Sequence, residues 1–244
     1  MERFYRNWHS GKLNHFVVQV EETDLWIEID RFEPQIKEAV YKLVKKLRED
    51  LKRYIKHHSN FLTSLEPVQV EQNAPEIVLE MAQAGNLAKV GPMAAVAGAV
   101  ADKVGKFLSE EFNCKEVIVE NGGDIYLKSQ NEVIVGIYAG KSPLSGKVGL
   151  KIPPGEWGIC TSSGTVGHSL SFGKADAVTI VSENATIADA FATYYCNMVK
   201  DKKDVEKVLE IVDKNYVKTI VVIIEDKLGI VGEHELVILE GSEA

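Results

Sequence analysis

Asp189 and Thr193 sit four residues apart in Ile187-Ala188-Asp189-Ala190-Phe191-Ala192-Thr193. In a helix that spacing stacks a carboxylate and a hydroxyl one turn apart on a single face. The surrounding alanines keep that face low, so another backbone or a ligand can approach closely. Two oxygen donors on such a surface suit a hard cation such as Mg²⁺, which takes one or two protein carboxylates together with phosphate oxygens. The same residues also read as an ordinary Ala-rich helix, with an exposed first-turn Asp that complements the dipole and a Thr bonded back to a carbonyl.

Two other segments offer chemistry. Thr161-Ser162-Ser163-Gly164-Thr165-Val166-Gly167-His168-Ser169 gathers hydroxyls and glycines around one histidine, a loop with many donors for an anionic group. Ser163 and His168 could pair as nucleophile and base. The segment has no nucleophile-elbow motif and no evident orienting acid, which argues against a serine hydrolase. Asn121-Gly122-Gly123-Asp124 lies between two strand-like runs, and Asn-Gly is a strong hairpin signal. With Asn121-Gly122 as the turn, Gly123 exceeds what a two-residue turn needs. An exposed Gly-Gly can bring amide N–H groups against phosphate or an aromatic ring with no Cβ in the way.

Composition limits what this chemistry can serve. The chain has 244 residues, 45% of them hydrophobic and 26% charged, with 28 Lys+Arg against 36 Asp+Glu and a net charge of −8. That length buries a core without disulfide or metal staples. The acidic balance argues against non-specific binding to nucleic acid or a membrane surface, while leaving room for a local basic pocket. Cys114, Cys160 and Cys196 are far apart and share no C-x-x-C spacing, which reads as reduced thiols. The N-terminal residues lack the apolar run of a signal peptide, and no window is apolar enough to span a bilayer. A cytoplasmic location is expected.

The elements that must position these groups follow from periodicity. Asn14–Val20 and Leu25–Ile29 read as a hairpin. Pro34 opens an amphipathic helix to residue 58, with Ile36, Val40, Leu43, Val44, Leu47, Leu51, Tyr54 and Ile55 at the 3.6 period. Residues 59–75 are turn-rich, Glu76–Ala84 reads as a helix, and 85–90 as a break. Gly91-Pro92 restarts the chain into a helix over 93–108 with almost no bulky side chains in its first three turns, a surface for a neighbouring helix or a ligand. Strands are expected over 116–120, 125–128, 133–138, 147–152, 157–161 and 177–182. The Asp189 helix, another over 203–212, and strands over 217–224, 227–231 and 235–240 complete the chain. Hairpins at both ends around packed helices make the class α+β with largely antiparallel sheets, not doubly wound.

Four segments in register resemble the ApbE family, the FAD-dependent FMN transferases once linked to thiamine biosynthesis. They are Gly98-Ala99-Val100-Ala101-Asp102, Gly122-Gly123-Asp124-Ile125, Ser163-Gly164 followed by His168, and Ala188-Asp189-Ala190-Phe191-Ala192-Thr193. The likeness covers about residues 90–200. It looks like a cytoplasmic branch marked by Gly-Pro-Met-Ala-Ala-Val-Ala-Gly from Gly91 to Gly98. The resemblance implies one ApbE-like, T-fold-related domain over 1–244. It implies Mg²⁺ on Asp189 and Thr193, aided by a carbonyl near Val96. FAD or FMN would be held by Gly98, Asp102, Gly122, Gly123, Asp124, Ser163 and Gly164, with His168 and Asp189 catalytic in passing FMN to a Thr or Ser of an acceptor protein. Two positions depart from the family pattern. Ala97 stands where the family has Lys, and Ser169-Leu170-Ser171-Phe172 replaces Ile-x-Asp-Pro after the histidine. Two other readings stay open: a flavin- or nucleotide-binding module of the same fold without transfer activity, and a structural subunit whose small-residue helix joins it to a second copy.

Overall fold

Strands with alternating burial and helices with one apolar stripe sort this chain into three layers. A computed structural model describes residues 13–166 and 172–239. The central layer is an eight-stranded sheet, formed by β1 (Asn14–Val20), β2 (Thr23–Ile29), β3 (Val117–Asn121), β4 (Asp124–Ser129), β7 (Gly155–Ser162), β8 (Ala177–Ser182), β9 (Thr219–Ile224) and β10 (Lys227–Gly232). They lie in the order β1-β2-β3-β4-β7-β8-β9-β10 and every pairing is antiparallel. The expected α+β class with antiparallel sheets is what the chain forms.

One face of this sheet carries helices. They are α1 (Pro34–His57), α2 (Ser59–Thr63), α3 (Glu76–Ala88), α4 (Val96–Glu111), α5 (Ala185–Met198) and α6 (Asp204–Glu210). Ile36, Val40, Val44 and Leu47 form the buried stripe of α1. The opposite face is covered by a small sheet in the order β11-β6-β5, from β5 (Val133–Gly136), β6 (Val148–Ile152) and β11 (Glu235–Ile238). The larger core lies under the helices. A second core, with Leu127, Ile159, Val181, Val221 and Ile223, lies between the two sheets. Strands β8 and β9 are buried along their whole length, as expected of strands covered on both faces.

Three boundaries differ from the sequence expectation for identifiable reasons. The helix α3 continues through Gly85 to Ala88, where left-handed Lys89 ends it. A Cβ at Gly85 would stand 2.8 Å from the Val90 carbonyl oxygen, so this glycine admits a returning chain and does not break the helix. Pro92–Ala95 forms a single 3-10 turn before α4 begins at Val96. A short helix, α2, occupies the start of the turn-rich segment because Phe61 is driven fully into the core.

Candidate functional site

The β3–β4 hairpin turns on Gly122 and Gly123, both with positive φ, at 74° and 110°. Asn121 pairs with Asp124 across it. A two-residue loop with φ > 0 at both central positions is the hairpin-compatible geometry. The turn is therefore one residue later than Asn121-Gly122, and Gly123 is required by it. A Cβ on Gly123 would have only the Thr161 carbonyl oxygen nearby, at 3.8 Å, so the tip also faces open space. Gly123→Ala should cost about 1–2 kcal/mol in backbone strain alone, read from the thermal melt. A loss several times larger would contradict the uncrowded tip.

Asn121 donates its side-chain amide to the Ala97 carbonyl at 3.1 Å, which ties the hairpin to the start of α4. On the adjacent strand pair Asp124 stands opposite Cys160. The Cys160 thiol donates to the Ala185 carbonyl of α5 at 3.2 Å. Asp124 therefore faces the helix layer, where α5 packs against α4.

The α4–α5 contact is unusually close. A Cβ on Gly98 would stand 2.2 Å from the Ala185 carbonyl oxygen and 2.9 Å from the Asp189 Cβ. Asp102, one helical turn on, accepts from the Ala185 N–H at 2.9 Å, the Thr186 N–H at 2.8 Å and the Thr186 hydroxyl at 2.5 Å. Asn184 caps the same helix by accepting from Ile187 N–H. These bonds satisfy the orphan donors of the α5 N-terminus. Gly98 and Asp102, two of the residues expected to hold a cofactor, thus meet the N-terminal end of α5. Ala185 is what approaches Gly98, and Asp102, 3% exposed, has both oxygens committed to anchoring α5. Burial raises its carboxyl above the usual range, against those bonds.

What this anchoring positions is Asp189. Its Oδ2 accepts from the Gly98 N–H at 2.9 Å, and the Ala97 N–H also favours its charged form. The carboxylate is 7% exposed, not the exposed acid expected from sequence. Its pKa is raised well above the usual range, first by burial, then by the charge of Asp124 and less strongly by Asp102. Burial, then Asp124 and Asp189, likewise push the Cys160 thiol well up, so this cysteine stays an inert thiol. One turn beyond Asp189, the Thr193 hydroxyl bonds Ser162 Oγ at 3.1 Å.

The structure therefore brings Asp124, Asp189 and Thr193 together beside the Gly122-Gly123 tip. It adds Asn121 and Ser162, which sequence reasoning did not nominate, and gives Gly98, expected to hold the flavin, an N–H bond to Asp189. Ser162 was legible by alternation. Cys160 and Ser162 share the buried phase of β7, and period-two reading would have preferred Ser162 to Ser163. Ser163 instead closes a turn, accepting from the N–H groups of Thr165 and Val166 at 3.1 and 2.9 Å. That commits the oxygen proposed as a nucleophile. Gly164 is in contact with protein, since a Cβ there would lie 2.1 Å from the Gly173 carbonyl oxygen. His168 lies outside the described residues.

Among the described residues no group of three or more His, Cys, Asp or Glu side chains is placed to hold a metal by itself. The donor set nevertheless fits Mg²⁺. One or two carboxylates and a hydroxyl, all oxygen, are what this ion takes when substrate phosphates complete its shell. A carboxylate whose pKa is raised first by burial and then by a like-charged neighbour is also the electrostatic situation that a divalent cation relieves.

A family model described as AbpE bacteria matches residues 6–215. The chain belongs to this ApbE-like family. It is 43% identical to UPF0280 protein MJ1526 of Methanocaldococcus jannaschii over 222 residues, 88% of each chain. It is 41% identical to UPF0280 protein MK0206 of Methanopyrus kandleri over 222 residues, 88% of this chain and 89% of that one. The fold matches the flavin transferase ApbE from Vibrio cholerae with a TM-score of 0.61 at 15% identity, covering 89% of this chain and 96% of that one. The ApbE protein from Thermotoga maritima matches with a TM-score of 0.58, also at 15% identity and with the same coverage. The ApbE-like family keeps the flavin-transferase fold in this chain. No described helix is long and apolar enough to cross a membrane.

Proposed function

We propose that this ApbE-like protein binds FAD with Mg²⁺ at the Asp189–Thr193 face and transfers FMN to a Thr or Ser hydroxyl of an acceptor protein, releasing AMP. The observation that carries the reading is the Asp189 carboxylate, its pKa raised by burial and then by Asp124, set one helical turn from Thr193 near a hairpin tip open to a ligand. Asp189 and Thr193 would hold the cation. Once bound, it would supply positive charge to the diphosphate oxygens and stabilise negative charge developing there.

The protein's own groups do the rest by positioning. The Gly98 and Ala97 N–H groups hold the Asp189 carboxylate in place, and Ser162 fixes the Thr193 hydroxyl. The small Gly122-Gly123 tip allows a flat ring or phosphate to approach the backbone. In the transfer, the acceptor hydroxyl oxygen bonds to the FMN phosphorus as the phosphoanhydride bond to AMP breaks. AMP leaves with the bridging oxygen, and His168 would take the hydroxyl proton as general base.

Purified protein with Mg²⁺, FAD and a Thr-containing peptide should release AMP and make flavinylated peptide in equal amounts. His168→Ala should slow this by about 100-fold. Ala97 favours a second reading, a flavin-binding module without transfer, because no lysine is available there to meet phosphate. FAD binding without AMP release would select it.

A further inference from the structure

Glu120 is a buried acid, 5% exposed, one residue before the end of β3. Its neighbour Asn121 turns toward α4, so the period of two puts Glu120 on the opposite face of the sheet. There it stands across from Trp26 on β2 and Ile125 on β4. An apolar side chain would pack between those two without burying a polar group. Glu120 instead reaches along its own hairpin, where its Oε1 accepts from the Gly123 N–H at 2.8 Å.

That bond supplies what the hairpin tip lacks. The pair Asn121 and Asp124 closes the ladder, so the amides of the two loop residues have no ladder partner. Gly-Gly is also the least restrained dipeptide a loop can carry. The tip is nevertheless tied on both faces of β3. Asn121 bonds the Ala97 carbonyl of α4 at 3.1 Å on one side, and Glu120 takes the Gly123 N–H on the other. It stays bare as well, since among the described residues a Cβ on Gly123 would meet nothing nearer than the Thr161 carbonyl oxygen at 3.8 Å.

We infer that Glu120 is a positioning residue for the ligand of this site, holding the Gly122-Gly123 tip in the conformation that the ligand meets. A bare surface already fixed before binding spares the ligand the cost of ordering it. With the Gly123 N–H engaged by Glu120, the tip offers the ligand a peptide face in place of that donor. Phosphate recognition then falls to the cation proposed at Asp189 and Thr193. That the ligand is FAD rests on the reading above; the hold of Glu120 on the tip does not.

The test compares three variants of the full chain by two measurements. Glu120→Gln keeps both the acceptor and its reach, Glu120→Asp keeps the acid but is one methylene short, and Glu120→Ala removes both. In ligand-free ¹⁵N-labelled protein, exchange of the Gly123 amide should be at least about tenfold faster in the Asp and Ala variants and within about twofold of wild type in the Gln variant. FAD affinity with Mg²⁺, read well below each variant's melting temperature, should follow the same order, with a loss of about tenfold in Asp and Ala. Glu116 anchors the far end of this hairpin, accepting from the Gln130 N–H at 2.9 Å and the Asn131 side-chain amide at 3.0 Å. Glu116→Ala should lower stability yet leave FAD affinity within about twofold, which separates positioning from general support of the fold. Unchanged Gly123 exchange in the Asp and Ala variants overturns the proposal. So does FAD affinity that survives in both, that the Gln variant fails to restore, or that falls equally in Glu116→Ala. If wild type binds no FAD, the flavin reading fails, while the exchange measurement still decides whether Glu120 holds the tip.

Discussion

Asp189→Asn should raise the melting temperature of the ligand-free protein at pH 8 while weakening Mg²⁺-dependent FAD binding by about 100-fold or more. Asn keeps an oxygen to accept from the Gly98 N–H and removes a buried charge that Asp124 repels. Relief of such a charge is worth on the order of 1 kcal/mol, or about 2–4 °C in a chain of this size. The pH dependence has a definite sign. A carboxyl whose pKa is raised on folding holds a proton that the unfolded chain has already released. Its stabilising contribution is complete below the usual carboxylate range and is lost as pH rises through the raised value. The melting-temperature gap between Asn variant and wild type should therefore widen with pH. A gap that is flat or closes as pH rises would contradict the buried like-charge pair. Asp189→Ala is the less informative change, because it strands a buried Gly98 N–H at a cost of about 1–3 kcal/mol.

Gly98→Ala should destabilise the fold by about 3 kcal/mol, or roughly 6–12 °C. The added Cβ meets the carbonyl oxygen and carbon of Ala185 at 2.2 and 2.6 Å. Both are backbone atoms on a helix that Asp102 holds in place, so no side chain can rotate away. FAD affinity should fall with stability, because the Gly98 N–H sets the position of Asp189. Unchanged stability in thermal or urea unfolding would mean that α4 and α5 are not locked at this point.

Local pattern made most elements legible. The α1 stripe, the β1–β2 hairpin and the fully apolar β8 and β9 carry their burial in their periodicity. The close approach of α4 was legible as a run of small residues. Its partner was not, because Ala185 and Asp102 are 83 residues apart in the chain and no local rule pairs them. Asp102 shows the same limit. An acid in a small-residue helix reads equally well as a ligand contact or as a remote N-terminal anchor, and only tertiary packing decides. Asp189 and Thr193 were legible as a pair through the helical repeat. The charge of Asp124 against them depends on β4 lying beside β7 under α5, which sequence alone does not reveal.

The most direct test of the account is a fluorescence titration of FAD into the purified protein, with Mg²⁺ and then with excess EDTA. The account predicts saturable binding that needs Mg²⁺, weakens as pH falls because the Asp189–Asp124 pair must release a proton to take the cation, and is lost in Asp189→Asn. Binding of equal strength with and without Mg²⁺, or unchanged in Asp189→Asn, would contradict it.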